Sequence, residues 1–153
     1  MLLKLSPSEL ATLTTALKRA GDKEIGGQLF GEQIEPSRFR VSTMTLQARP
    51  GTFSRFLVDI LQAVRDATRF FDRTHHQYRR YNYIGEWHSH PSFEVRPSGV
   101  DVQSMRDLVR DPDFKGSFAV LMIVRLRADK FEAGAWLFDP RGFEQDVKLE
   151  MDA

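Results

Sequence analysis

Apolar residues recur along the chain with two periods, and the change between them marks out its elements. Leu10, Leu13, Ala16 and Leu17 fall at helical spacing after Ser6-Pro7-Ser8-Glu9, and Gly21 ends the run. Ser6 as N-cap, Pro7 at the first helical position and Glu9 completing a capping box predict the helix start. Ahead of it, Leu2 to Leu5 reads as a short edge strand. "EIGGQLFG", from Glu24 to Gly31, reads as a glycine-rich strand, where paired glycines imply a bulge or a close approach to the backbone. "FRVSTMTL", Phe39 to Leu46, alternates as a strand does, and "ARPGT" breaks it.

Phe56, Leu57, Ile60, Leu61, Val64, Ala67, Phe70 and Phe71 form one apolar stripe, which predicts a long helix over about residues 55–79. Tyr83 to His88 is a strand, Ser98 to Arg110 a helix, "SFAVLMIVRL" a central strand and "FEAGAWLF" another, ended by Asp139-Pro140. Helices and strands are interspersed, which implies a mixed sheet packed between helices.

The 153 residues suit one domain, 1–153, large enough to bury a core without staples. A net charge of +1 gives no support to a general nucleic-acid or membrane binder. There is no cysteine, so disulfides, thiolate metal sites and a cysteine nucleophile are excluded. The N-terminus lacks a signal-peptide pattern, and no run approaches the roughly 18 apolar residues of a membrane span. A cytoplasmic protein is the expectation.

The chemistry concentrates in "GEWHSHPSFEVRPSGVD", Gly85 to Asp101. Residues i and i+2 of a strand share a face, so His88 and His90 can present two imidazoles side by side. Pro91 ends the strand, and Asp101 falls in the first turn of the next helix, able to swing back to the same point. Two nitrogens and one carboxylate oxygen leave one coordination position open, as in a catalytic zinc site. Ser98 reads equally as the helix N-cap and as an oxyanion donor. For a general base two carboxylates compete: Glu24, beside Gly26-Gly27, and Glu86, two residues before His88. Glu86 has two further readings, as a surface ion pair and as an outer partner that orients a ligand.

His88-Ser89-His90-Pro91, followed by Ser98 and Asp101, resembles the metal motif of the JAMM (Jab/MPN) metalloenzyme family, and Glu24 to Gly31 is similar to that family's upstream E-x-x-G-x-L-x-G pattern. The resemblance covers about residues 1–140, in its compact prokaryotic branch. It implies a cytidine-deaminase-like α/β/α sandwich. It further implies Zn²⁺ held by His88, His90 and Asp101, Glu24 rather than Glu86 as general acid/base, and Ser98 stabilising the tetrahedral intermediate. The implied activity is cleavage after the C-terminal glycine of a ubiquitin-like protein or its conjugates, with cognate activating or conjugating enzymes as further partners, in antiphage defence or sulfur-carrier metabolism. Two other readings stay beside it: a peptidase that trims a ubiquitin-like or sulfur-carrier precursor, and a non-catalytic MPN-type binding module. Glu86 departs from many eukaryotic members, which carry an aromatic there.

Elsewhere, adjacent His75 and His76 make a poor pair for one metal and read as a solvated helix end. Trp87 and Trp136 read as core, and "ARPGTFSR" as an ordinary connection. Nucleobase deamination is set aside because it needs paired cysteines.

Overall fold

The computed structural model describes residues 1–47 and 60–152. Ten elements follow in order: β1 (Leu2–Leu5), α1 (Pro7–Ala20), β2 (Gly26–Glu35), β3 (Arg38–Met44), α2 (Ile60–Arg73), β4 (Tyr81–Ser89), α3 (Gly99–Arg110), β5 (Ala119–Arg127), β6 (Lys130–Phe138) and β7 (Glu144–Met151). The strands form one mixed sheet in the order β1-β3-β2-β4-β5-β6-β7.

β5 explains why its sequence is apolar at every step. Val120, Met122 and Val124 join Leu13 and Leu17 of α1 in one core cluster. Ala119, Leu121 and Ile123 join Met105 and Val109 of α3 in another. Both faces of the strand are covered, so alternation is lost. β5 pairs in parallel with β4 and antiparallel with β6, which places it centrally. Leu13 is fully buried, and Leu13→Ala would cost about 2–5 kcal/mol through the cavity it leaves.

The structure differs from the sequence expectations at particular elements. β1 is no edge: it pairs in parallel with β3 on one side and with β7 on the other. That second pairing closes the mixed sheet into a ring. β7 itself was not foreseen, because "EQDVKLEM" is mostly polar; only Val147 is fully inward-facing. In α1, Ser6 is the N-cap but makes no side-chain cap bond; its hydroxyl donates to the Glu9 carboxylate instead.

α2 ends at Arg73, six residues short of the expected end. His75 and His76 both take positive φ, near 55°, which breaks the helix. Val64, placed on the expected apolar stripe, is exposed, while Phe70 is buried against Phe30. The residues 55–59 of the expected helix and the "ARPGTFSR" connection lie outside the described residues. Trp87 is core as expected, its indole N–H donating to the Thr45 carbonyl at 2.9 Å. The paired glycines serve close approach: a Cβ on Gly26 would collide with the Trp87 carbonyl oxygen, and one on Gly27 with that of Thr45.

Candidate metal centre

β4 runs antiparallel to β2 and parallel to β5, so His88 lies between Gly26 and Ile123 inside the sheet. The His90 N–H donates to the Val124 carbonyl at 3.0 Å, which extends the ladder past the end of β4. Alternation therefore turns both imidazoles to one side, and both are buried. Their Nε2 atoms are 3.1 Å apart.

The third group arrives with α3. The Asp101 N–H donates to Ser98 Oγ at 3.1 Å, and the Ser98 N–H donates to Asp101 Oδ2 at 2.7 Å, a complete capping box. The cap that starts the helix thereby aims the buried Asp101 carboxylate at the imidazoles. Asp101 Oδ1 lies 3.5 Å from His88 Nε2, and Oδ2 3.4 Å from His90 Nε2.

These separations test the fit to a cation. Ligands about 2.0–2.1 Å from a tetrahedral centre are about 3.3–3.4 Å from one another. The 3.1 Å between the two Nε2 atoms and the 3.4 and 3.5 Å from them to the two oxygens of the Asp101 carboxylate are of that order. Among the described residues, His88, His90 and Asp101 form the one group able to hold a metal ion in this way. His90 Nδ1 lies 2.9 Å from the Glu94 carbonyl oxygen, which only accepts, so the proton sits on Nδ1 and the Nε2 lone pair faces the site.

The local field agrees. Burial alone would raise the Asp101 carboxyl, but the His88 and His90 imidazoles beside it hold it well below the usual carboxylate range. Asp101 in turn raises the His90 imidazole above its ordinary value against burial, with help from the Glu94 carbonyl and the Glu24 charge.

Glu24 and Ser98 line the same cavity as the three ligating groups, with Phe93, Glu94 and Arg96 at its wall; its volume is about 430 Å³. Glu24 lies in the loop between α1 and β2, half-buried. Its segment is held from β4. The Ile25 N–H donates to Ser89 Oγ at 3.0 Å, and the Ser89 N–H donates to the Ile25 carbonyl at 2.8 Å. Sequence reading passed over Ser89, although its place between two histidines turns its side chain to the opposite face. A larger cleft of about 680 Å³ runs along α1 past Ile25 and Gln47, but none of the ligating groups lines it.

Glu86 does not line the metal cavity. It is no surface ion pair either: it is buried and accepts a hydrogen bond from the Tyr83 hydroxyl at 2.6 Å. Burial pushes its carboxyl up to about 8, against the pull of that bond. His75 and His76 are exposed, and His76 Nε2 lies 3.0 Å from an Asp72 oxygen, away from the centre.

Comparison with known proteins places the chain in a family. Residues 7–141 match the family model described as prokaryotic homologs of the JAB domain. COP9 signalosome complex subunit 5 of Caenorhabditis elegans is 28% identical over 153 residues, covering 97% of this chain and 40% of that protein. The CD-NTase/cGAS isopeptidase of Enterobacter hormaechei subsp. hoffmannii is 28% identical over 123 residues, covering 78% of this chain and 65% of that protein. The chain thus spans less than two thirds of the length of either curated relative. Two solved structures share the fold. The solution structure of protein DSY2949 from Desulfitobacterium hafniense has a TM-score of 0.65 at 19% identity, over 99% of this chain and 93% of that one. The crystal structure of AF2198, a JAB1/MPN domain protein from Archaeoglobus fulgidus, has a TM-score of 0.53 at 18% identity, over 97% and 98%.

Proposed function

The chain belongs to the family of prokaryotic homologues of the JAB domain, and on that footing we propose that it is a zinc-dependent isopeptidase, cleaving after the C-terminal glycine of a ubiquitin-like protein. The observation that carries the reading is the convergence of the buried His88 and His90 Nε2 atoms and the buried Asp101 carboxylate within 3.1 to 3.5 Å of one another, with Glu24 and Ser98 on the wall of the same cavity. The isopeptidase name of one relative supports the class of reaction.

His88, His90 and Asp101 would hold the ion, and Zn²⁺ suits two imidazoles, one carboxylate and an open fourth position. When bound, the ion supplies Lewis acidity to the scissile carbonyl and to water. Glu24 takes a proton from the attacking water as the C–O bond forms, and gives it to the leaving amine as the C–N bond breaks. Ser98 Oγ accepts from the Asp101 N–H, which leaves its own O–H free to donate to the developing oxyanion. Burial of the ligands keeps these charges in a region of low dielectric, where they act more strongly.

The substrate is a ubiquitin-like conjugate, met in the cytoplasm, without nucleic acid or membrane. The cytidine-deaminase-like α/β/α arrangement and a single unit over 1–153 belong to the same reading. Among the described residues no helix is long and apolar enough to cross a membrane. The test is release from two ubiquitin-like fusions, one joined through a lysine Nζ and one through an α-amino group, with and without chelator. Chelator-sensitive release from the lysine-linked fusion is expected. Release only from the peptide-linked fusion would favour a precursor-trimming peptidase. No release from a metal-loaded chain would leave a binding module.

A further inference from the structure

Arg125 stands at the end of β5 and is held by its cross-strand partner on β6. Its Nε and Nη2 donate to Glu132 Oε2 at 2.8 and 2.5 Å, and the two residues are paired in register. With the guanidinium so fixed, Nη1 donates to the Phe93 carbonyl at 2.7 Å. The next carbonyl along that loop, of Glu94, is the acceptor for His90 Nδ1. The same strand end holds the His90 main chain, through the Val124 carbonyl.

We infer that Arg125 is a positioning residue for the metal ligand His90, acting through the Phe93–Glu94 peptide and anchored by Glu132. Within the loop the Arg96 N–H also donates to the Glu94 carbonyl at 2.8 Å, but that bond joins two residues of the same loop and does not tie it to the sheet. Phe93 is 64% exposed although it lines the metal cavity, and its ring meets His90 only edge-on at 6.2 Å. The Arg96–Glu94 pair is exposed and 3.8 Å apart, too weak to fix a backbone. Without Arg125 the loop that carries the Glu94 carbonyl loses this tie to β5, and the hold on the His90 tautomer and ring orientation loosens. Outer partners of this kind are worth roughly 10–100-fold in metal affinity. The inference rests on the proposed metal site but not on the proposed substrate.

The test is competition between a chelator and the intact chain for Zn²⁺, with the visible absorption of the Co²⁺-loaded chain as a second readout. R125M is expected to bind Zn²⁺ roughly 10–100-fold more weakly and to change the Co²⁺ spectrum. R125K should recover part of the loss, and E132Q, which leaves Arg125 in place but loosens it, should fall between wild type and R125M. The control is R40M, which breaks a comparable Arg–Glu contact, with Glu32, away from this loop. Affinity and spectrum unchanged in R125M and E132Q, or R40M weakening zinc equally, would overturn the inference. A wild-type chain that binds zinc but cleaves no ubiquitin-like fusion would instead sink the functional reading, with the effect of R125M still expected.

Discussion

Ser89 and Ile25 exchange two hydrogen bonds across 64 residues of sequence: the Ile25 N–H to Ser89 Oγ, and the Ser89 N–H to the Ile25 carbonyl. The pair ties the strand that carries both histidines to the segment that carries Glu24. Ser89→Ala leaves the buried Ile25 N–H without its acceptor, at about 1–3 kcal/mol. The expected result is a melting temperature several degrees lower and kcat about tenfold lower, with zinc content near one per chain. Zinc analysis beside steady-state kinetics checks it; an unchanged kcat would contradict the positioning of Glu24 by this clamp.

Glu24→Gln keeps the shape of the side chain and removes its proton-accepting role. Zinc binding should be retained, because Glu24 is not among the three ligating groups. Turnover should fall by roughly 10²–10⁴, the usual worth of a general acid/base. Activity within a few-fold of wild type would assign the proton transfer elsewhere.

Asp101→Asn separates the two tasks of one side chain. An amide oxygen can still accept from the Ser98 N–H, so α3 keeps most of its cap and loses about 0.3–1 kcal/mol of charge–dipole stabilisation. Zinc affinity should fall beyond the roughly 10–100-fold typical of outer partners. Circular dichroism and a chelator competition would show helix content maintained and metal lost.

Glu86 gives a pH dependence of definite sign. Burial pushes its folded pKa up to about 8, above the unfolded value near 4.5. Its contribution to stability is therefore fully present below about pH 4.5 and is lost as pH rises through about 8. Denaturant unfolding of the metal-free chain at pH 5 and pH 8 should show wild type losing stability relative to Glu86→Gln, by at most roughly 1.4 kcal/mol per pH unit. Parallel pH profiles for the two chains would contradict it.

The candidate metal centre was legible because local rules bring His88, His90 and Asp101 together. Strand alternation sets His88 beside His90, and the capping box at Ser98 turns Asp101 toward them. What bridges distant segments was not legible. Ser89 with Ile25 and Arg125 with Phe93 are joined only by the fold, and neither residue type announces a partner. Glu86 shared the two-residue repeat with His88, but its carboxyl went to Tyr83. β7 escaped notice because pairing with β1 and β6, rather than an apolar pattern, holds most of it in place. α2 ended early because two left-handed residues, His75 and His76, carry no reliable warning in their identity.

The most direct measurement is anomalous diffraction at the zinc edge, on crystals of the chain grown with Zn²⁺. One peak is expected, about 2.0–2.2 Å from His88 Nε2, His90 Nε2 and an Asp101 carboxylate oxygen, with the Glu24 carboxylate facing the remaining side. A map with no peak among those three side chains, or with the two imidazoles turned apart, would contradict the account.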